Sequence, residues 1–299
     1  MLAPIILFTY KRLDTLEITV TSLLENALAK ESELFIFSDA ARSEKDKKDV
    51  DLVRAFIRNI NGFKKISIVE AETNKGLAKS IIEGVSQVLN THDKAIVLED
   101  DLQTSSNFLD FMNASLTRYE AFSEVFSISA YSFDLENRDV SQDVYFLNRG
   151  WSWGWGTWKS RWVDLDWDLK NYSDFKKDSH QQKQFAKGGS DLLKMLDKQV
   201  NGNIDSWAIR WFYNQFQRGG LTLYPVKSKI NNLGFGEDAT HTTGSNKRYI
   251  PAFDNSSKKD FDFPEHVEID VFFQKRFQKR MGIVARIRSK IETVLMKFR

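Results

Sequence analysis

Apolar, strand-like segments alternate with helical patterns through the first third of the chain, and this alternation constrains the fold more than any other feature. The segment Pro4–Thr9 is almost continuously apolar, which is typical of a strand buried on both faces. Apolar residues then recur at helical spacing from Asp14 to about Ala29. Strands are predicted again within 33–39, 65–71 and 94–101, with helical patterns between them. This order predicts βα units and a mostly parallel α/β sheet flanked by helices.

Composition narrows the class of protein. Hydrophobic residues make up 41% and charged residues 28% of the chain, which indicates a globular protein rather than a disordered one. The 43 basic and 41 acidic residues leave a net charge of +2, so charge gives no reason to expect nucleic acid as a partner. There is no cysteine, which excludes disulfides, thiolate zinc sites and cysteine nucleophiles and fits a reducing cytoplasm.

Several targeting and enzyme motifs are missing from the sequence. The N-terminal run MLAPIILFTYKRL has no basic segment before its apolar residues and no small-residue cleavage site, so we expect a strand there rather than a signal peptide. No stretch approaches the roughly 20 apolar residues of a membrane span. The chain also lacks a P-loop, a G-x-S-x-G nucleophile elbow and an H-E-x-x-H helix, which removes several common enzyme classes.

Three consecutive carboxylates, Glu99, Asp100 and Asp101, end the predicted strand at 94–101. Ligands of parallel α/β sheets bind beyond the carboxyl ends of the strands. Adjacent carboxylates repel one another, and a hard divalent cation such as Mg²⁺ or Mn²⁺, often shared with phosphate oxygens, compensates that charge. The alternative is a solvated acidic turn without a ligand.

Two more strand-to-helix connections carry candidate ligands. Asp39 follows the second strand and could accept a hydrogen bond from a base or a ribose hydroxyl, or else cap the next turn. Asn74 and Gly76 precede a predicted helix, whose N-terminus and Lys79 could meet anionic groups of a nucleotide. The alternative is an ordinary helix start with a surface lysine.

Five tryptophans lie within Arg149–Trp162, interleaved with glycines. Alternation of this kind indicates an extended segment, in which Trp153 and Trp155 could offer aromatic faces to a sugar. A glycine such as Gly154 allows a ligand to approach the backbone closely. A tryptophan-rich core is the alternative, and we expect some of these rings to be core and one or two to line a pocket.

The second half of the chain contains two further candidate functional residues. Asp205 precedes a predicted helix and is either its N-cap or a general base that takes a proton from a hydroxyl. His241 lies in GFGEDATHTTG, which follows no clear strand and opens no helix, so the dinucleotide-binding fingerprint is rejected. His241 is either a ligand for metal or diphosphate, or a solvated loop residue.

Taken in order, seven segments resemble one family. They are PIILFTYKR, FSDAAR, NKGLAKSI, IVLEDDL, RGWSWGWGTW, DSWAIRW and GFGEDATHT. The chain is similar over about Ala3 to Thr243 to bacterial nucleotide-sugar glycosyltransferases of the GT-A fold, and among them to a family-two-like group related to N-acetylglucosaminyltransferase I. The LEDDL and Trp-Gly segments together are the specific part of this resemblance.

The resemblance implies a role for each matched residue. It implies that Asp101 binds a divalent metal, Mn²⁺ or Mg²⁺, against the diphosphate of the donor, with His241 nearby. It implies that Glu99 and Asp100 contact ribose or sugar, and that Asp205 is the base. The remaining donor contacts that it implies are Thr9, Tyr10, Arg12, Asp39, Asn74, Gly76, Lys79, Trp153, Gly154 and Trp155.

The resemblance also implies an organisation of the chain. Residues 1–149 are expected to bind the nucleotide-sugar donor, and 150–281 to form a mixed acceptor-side catalytic half. Residues 282–299 form a basic amphipathic tail. The apolar positions of the tail share one helical stripe: Ile283, Ile287, Ile291, Val294 and Leu295. This stripe is expected either to lie on an anionic membrane surface or to pack against the protein or a second subunit.

The expected function is metal-dependent, inverting transfer of a hexosyl or N-acetylhexosaminyl group from a UDP-sugar. The acceptor is a hydroxyl of a glycan, a lipid-linked oligosaccharide or a glycoprotein, in cytoplasmic polysaccharide biosynthesis. One alternative is a sugar nucleotidylyltransferase, but such an enzyme needs a glycine-rich loop after the first strand, where this chain reads FTYKRLD. A non-catalytic glycan-binding module, suggested by the tryptophans, is the other.

Overall fold

The computed structural model describes residues 1–135, 142–234 and 247–296. Within them the strands are β1 (Ile5–Thr9), β2 (Glu33–Ser38), β3 (Lys65–Glu70), β4 (Lys94–Glu99), β5 (Leu102–Thr104), β6 (Val125–Ser129), β7 (Val144–Leu147), β8 (Trp155–Trp158), β9 (Leu221–Pro225) and β10 (Ile230–Asn232).

The helices of the same ranges flank these strands, and two short 3-10 turns accompany them. The helices are α1 (Leu13–Leu24), α2 (Glu44–Ile57), α3 (Leu77–Leu89), α4 (Phe108–Arg118), α5 (Lys159–Trp162), α6 (Tyr172–Lys177), α7 (Ser179–Ala186), α8 (Leu192–Val200), α9 (Trp207–Gln217), α10 (Val271–Met281) and α11 (Ile283–Met296).

The central sheet has eight strands in the order β3-β2-β1-β4-β8-β6-β9-β7. Strands β3, β2, β1 and β4 are parallel, β8 is antiparallel to both of its neighbours, β6 and β9 are parallel, and β7 is antiparallel to β9. A second, two-stranded sheet joins β5 to β10. The predicted fold class, an α/β fold with helices flanking a mostly parallel sheet, is confirmed.

Two hydrophobic cores lie on opposite faces of this sheet, and β1 contributes to both. All five of its residues are buried. Ile5 and Leu7 belong to the core that α1 and α4 cover, whereas Ile6 and Phe8 belong to the core that α3 and α9 cover. A strand with helices on both faces needs apolar side chains at every position, which is why the first segment shows no alternation.

The two predicted halves share the central sheet. Strand β8 comes from the second half, yet it lies between β4 and β6 of the first. The boundary expected between residues 149 and 150 therefore separates parts of one sheet. In the ranges that the structure describes, no helix has the length and apolar character needed to cross a membrane.

Candidate active site

The carboxyl ends of β1, β2 and β4 meet at one edge of the sheet. Phe8 of β1 is in register with Glu99 of β4, and Thr9 is in register with Ser38 of β2. The residues that follow these strands therefore emerge side by side. The fold brings together the segment 9–12, Asp39 and the acidic cluster, which we define as Glu99, Asp100 and Asp101.

Asp100 is hydrogen-bonded to the end of β1 and to the residue that follows it. Its Oδ2 accepts hydrogen bonds from the backbone N–H of Tyr10 at 3.0 Å and from Thr9 Oγ1 at 3.2 Å, while Arg12 Nη2 lies 3.3 Å from Oδ1. The residue is only 6% exposed. A buried carboxylate needs such partners, and here they fix the course of the chain from Thr9 to Arg12. This role differs from the ribose or sugar contact that the resemblance implies.

Asp101 is the more accessible carboxylate of the pair. Arg12 Nη2 donates to its Oδ2 at 2.6 Å, and its own backbone carbonyl accepts from Leu233 N at 2.8 Å. Pairing of β10 with β5 brings the chain from Ile230 to Gly234 alongside it. A Cβ placed on Gly234 would stand 2.1 Å from Asp101 Oδ2, so only glycine leaves room for this carboxylate.

The acidic cluster carries more negative charge than its surroundings neutralise. Burial, with the charges of Asp101 and Asp100, raises the pKa of Glu99 to about 8. Burial and then the charge of Asp101 also raise the pKa of Asp100. Arg12 is the one cation that pairs with the cluster among the residues that the structure describes. A site of this kind attracts additional positive charge.

The donor set of the cluster fits a hard divalent cation in chemistry, because every ligand it offers is a carboxylate oxygen. No three acidic or histidine side chains within 1–135, 142–234 and 247–296 converge as a metal-binding group. Protein ligands alone, in those ranges, do not complete a coordination shell. Asp101 and Glu99 are the residues that would hold the ion, with ligand oxygens supplying the remaining positions. The predicted ligand His241 lies outside the described residues.

Asp39 locks the connection between β2 and α3. Its Oδ2 accepts from Asn74 Nδ2 at 3.0 Å and from Gly76 N at 2.9 Å, and its Oδ1 accepts from the backbone N–H groups of Lys75 and Ala40, both at 2.9 Å. These four bonds use about all the acceptor positions of a carboxylate. We call this arrangement the Asp39 clamp. The contact of Asp39 with a base or ribose stays a prediction.

Gly76 and Lys79 take different positions around this clamp. Gly76 has φ = +74°, a conformation that favours glycine, and no side-chain group caps the helix α3 that follows it. The Lys79 side chain is 64% exposed and lies 3.7 Å from Glu83 one turn along α3. This position agrees with the surface lysine of the alternative interpretation, and the contact of Lys79 with a nucleotide stays a prediction.

The tryptophans of this segment differ in burial. Trp155 is 1% exposed and stacks on Trp207 and Trp162, with ring centroids 5.1 and 5.7 Å apart. It therefore offers no face to a sugar, and its predicted role is corrected. Trp153 is half-buried and meets Tyr131 edge-on at 4.7 Å. Of the two predicted sugar-facing rings, Trp153 is the one that the fold leaves partly accessible.

Gly154 is confined by its surroundings. It has φ = +61°, and a Cβ there would stand 2.7 Å from Ile230, the first residue of β10. Its role in the structure is to let β10 approach β8 closely, and β10 in turn carries Gly234 to Asp101. Close packing against Ile230 therefore explains why this position needs glycine, without a ligand.

Asp205 stands before α9 on an exposed corner. Its side chain is 70% exposed, and Arg210 Nη2 donates to Oδ1 at 2.9 Å. The N-cap of α9 is Ser206, whose Oγ accepts from Ile209 N, so Asp205 is not the cap. Two residues further on, Trp207 stacks on Trp155 of β8, with ring centroids 5.1 Å apart.

Sequence reasoning missed Gly234 and the two bonds of Arg12 to the acidic cluster. The double pairing of Arg12 depends on a contact between residues 88 and 89 positions apart, which no local pattern reports. Gly234 did have a signal, since it is the first residue of the acidic GFGED segment in a chain with only 15 glycines. A glycine beside a candidate ligand loop can mark a close approach of backbone to a carboxylate.

No protein-family model and no curated protein sequence matches the chain. Among similar solved structures is the mannosyltransferase PcManGT from Pyrobaculum calidifontis in complex with GDP-Man and Mn²⁺, with 12% identity and TM-score 0.33, covering 46% of this chain and 37% of that one. Galactosyltransferase LgtC, in complex with donor and acceptor sugar analogues, has 12% identity and TM-score 0.38, covering 74% and 72%. Apo UDP-glucose pyrophosphorylase has 12% identity and TM-score 0.39, covering 78% and 93%.

These likenesses are distant. The chain spans little more than a third of the PcManGT chain. Two of these three structures are sugar transferases by their descriptions, and the third is a pyrophosphorylase. Identities and TM-scores this low establish neither membership of a family nor an activity for this chain.

Proposed function

We propose that this protein transfers a sugar from a nucleotide-sugar donor, a UDP-sugar by preference, to a hydroxyl group of a glycan, lipid-linked oligosaccharide or glycoprotein acceptor. The observation that carries the proposal is the pairing of Asp101 with Arg12 at the carboxyl edge of the sheet. An under-neutralised carboxylate cluster and a cation lie together there, beside the Asp39 clamp. Diphosphates held through a divalent cation need this combination of charges.

The donor would lie along the edge from β2 to β4. The Asp39 clamp holds the loop at residues 74–76 against β2, and the bonds of Asp100 hold the chain from Thr9 to Arg12. We propose that a base and ribose lie between these two segments. Trp153 supplies a partly accessible aromatic surface for the sugar. A divalent cation held by Asp101 and Glu99, with His241 as a predicted further ligand, would neutralise the diphosphate as it leaves.

Asp205 is proposed as the general base, for a hexosyl or N-acetylhexosaminyl transfer with inversion. In this step the acceptor oxygen loses its proton to the Asp205 carboxylate and forms a bond to the anomeric carbon. The bond from that carbon to the diphosphate oxygen breaks, and its electron pair leaves with the nucleoside diphosphate. Exposure of Asp205 supports this role, because a base for an incoming acceptor has to be reachable from solvent.

A nucleotide-release screen tests the proposal. The protein is incubated with UDP-, GDP-, dTDP- and CMP-sugars, with and without Mn²⁺, and the freed nucleotide is measured. We expect one donor class to turn over only with the metal, and Asp101→Asn to lower that turnover by about two orders of magnitude or more. The matched control is Asp174→Asn, a carboxylate that is 84% exposed on α6. Wild-type turnover by Asp101→Asn would refute the assignment.

The same assay separates the alternatives. A sugar nucleotidylyltransferase would release pyrophosphate from a nucleoside triphosphate and a sugar phosphate. The structure offers a specific objection to it, because Tyr10 N, in the loop after β1, already donates to Asp100 rather than pointing at a phosphate. A non-catalytic glycan-binding module would bind glycan without nucleotide or metal. UDP binding that appears only with Mn²⁺ in a calorimetric titration excludes that module.

A further inference from the structure

Helix α11 turns its apolar side away from the protein. Four of its residues are exposed over more than half of their surface: Ile283 (66%), Val284 (81%), Ile287 (54%) and Ile291 (56%). We call these four residues the isoleucine stripe. Successive residues of an α-helix are about 100° apart, so the stripe occupies a single arc of about 100°.

The opposite side of α11, which is the polar side, packs on the protein. Ala285, Arg286 and Ser289 are half-buried there, and Arg286 Nη1 donates to Ser190 Oγ at 3.4 Å. A surface helix of a globular protein ordinarily turns its apolar side to the core and its polar side to water. The reversed orientation of α11 indicates that the isoleucine stripe has a partner outside the described fold.

The surroundings of the stripe are basic. By helical position Lys290 lies along one edge of the stripe and Arg288 along the other, and both are exposed. Between Val271 and Ile291 the sequence has seven basic residues and no acidic one. A partner that covers the stripe therefore has to combine an apolar interior with a negatively charged surface.

A groove continues the basic, apolar surface at the start of α11. It has a volume of about 560 Å³ and is lined by Ile283 and Val284 together with Lys183, Lys187 and Lys279. Within the described residues none of these three lysines takes part in an ion pair, so their charges are available to an anion. The groove shares no residue with the acidic cluster.

We propose that the isoleucine stripe and its flanking cations lie on a bilayer that contains anionic phospholipid. The apolar arc would enter the boundary between headgroups and acyl chains, while Arg288, Lys290 and the lysines of the groove meet the headgroup phosphates. Cations on both edges of the arc suit a helix lying in the plane of the membrane. A second copy of the chain suits the stripe poorly, because two surfaces on which basic residues outnumber acidic ones repel each other.

Vesicle flotation with the full chain tests this inference, and it needs no enzymatic activity, so its outcome is independent of the proposed function. Vesicles of phosphatidylcholine alone are compared with vesicles in which part of it is replaced by phosphatidylserine. We expect binding to the second kind, and loss of that binding at high salt. The double variant Ile287→Ser/Ile291→Ser should bind at least about tenfold more weakly, because it removes apolar area from the acyl boundary.

Two further variants make the result specific. Arg288→Gln/Lys290→Gln should also weaken binding to the anionic vesicles by about tenfold or more. Ile18→Ser is the matched control, since Ile18 is 44% exposed on α1 and far from α11 in sequence, and it should bind like wild type. Because all these side chains are exposed, each variant should keep the wild-type melting temperature, which circular dichroism checks.

Other outcomes overturn the inference. If the wild-type protein does not float with phosphatidylserine vesicles, the inference is wrong. Equal binding by the wild type and the stripe variant would also contradict it. Sedimentation velocity covers the remaining case. If the wild type forms dimers that the stripe variant cannot form, the stripe is an interface between two copies and not a membrane-binding surface.

Discussion

The guanidinium of Arg12 donates to Asp101 Oδ2 at 2.6 Å, and the same nitrogen lies 3.3 Å from Asp100 Oδ1. One cation therefore bridges two consecutive carboxylates at the end of β4. A divalent ion bound to Asp101 would compete with Arg12 for the same oxygen. We expect the binding of a metal to be coupled to the position of the Arg12 side chain.

Removal of this cation should destabilise the protein when no metal is present. In Arg12→Gln the two carboxylates keep their burial and lose their counter-charge, and we expect the free energy of unfolding in chelator to fall by about 1–3 kcal/mol. Mn²⁺ should restore part of the loss, since it binds the folded cluster. Guanidinium denaturation with EDTA and with Mn²⁺ measures both effects.

The matched control for Arg12 is Arg58→Gln. Arg58 pairs with Glu70 at 2.6 Å but its side chain is 60% exposed, so its loss should change the stability much less than the loss of Arg12. Equal stability of Arg12→Gln and wild type in EDTA would show that the pair with Asp101 contributes nothing to folding.

The stability of the protein should depend on pH through Glu99. Its pKa is about 8 in the folded chain, because of burial and the charges of Asp101 and Asp100, against an ordinary value of 4.5. The folded chain thus holds a proton that the unfolded chain releases, and stability falls as the pH rises from about 4.5 to about 8. Glu99→Gln cannot ionise, so it should gain about 2–4 kcal/mol over wild type above pH 8 and nothing near pH 4.

Denaturation midpoints across this pH range, in EDTA, measure the effect. Glu120→Gln serves as control, because that carboxylate is half exposed and lies outside the acidic cluster. A difference between Glu99→Gln and wild type that did not change with pH would contradict the assignment of the titrating group.

Gly234→Ala should damage the site with little damage to the fold. The added methyl group would stand 2.1 Å from Asp101 Oδ2 and has to displace that carboxylate. We expect Mn²⁺-dependent binding of UDP to weaken by about tenfold, in line with the loss of a metal ligand's supporting contacts. Isothermal titration calorimetry gives the affinity, and a thermal melt shows whether the fold is intact. If Gly234→Ala bound UDP with wild-type affinity and had an unchanged melting temperature, Gly234 would have no role in the site.

Asp205→Asn should lower kcat and leave donor binding unchanged. A general base contributes about 10²–10⁴-fold to the rate, and an asparagine of the same shape cannot take the proton. Nucleotide release in the presence of acceptor gives kcat, and a UDP titration gives donor affinity. Asp168→Asn is the control, because that carboxylate is 82% exposed and distant in sequence from α9. Wild-type kcat in Asp205→Asn would place the base elsewhere.

The sequence predicted the sheet and the edge at which the site forms. Parallel strands end at a common edge, so Asp39 and the acidic cluster could be expected there from the order of the elements alone. The strand predicted at 4–9 begins one residue later in the structure, at Ile5, and ends where expected, at Thr9. A continuous apolar run suffices for that prediction, because both faces of the strand are covered.

The partners of the site residues could not be predicted. The long-range bonds of the Asp39 clamp join residues 35 to 37 positions apart, and those to Asn74 and Gly76 exist only once β2 and α3 are packed together. The alternation of tryptophans with other residues likewise predicts that Trp153 and Trp155 share one face of an extended segment, but not whether that face is covered. Because β8 lies inside the sheet, Trp155 is enclosed, while Trp153 stands before the strand begins.

The Asp39 clamp also has a thermodynamic consequence. The loop at residues 74–76 is already ordered before anything binds, so a nucleobase that enters beside it has little chain entropy to remove. Selection between nucleobases would then depend on the fixed shape of this loop and on which polar atoms of the base are left unpaired. It would not depend on the loop folding around the preferred base.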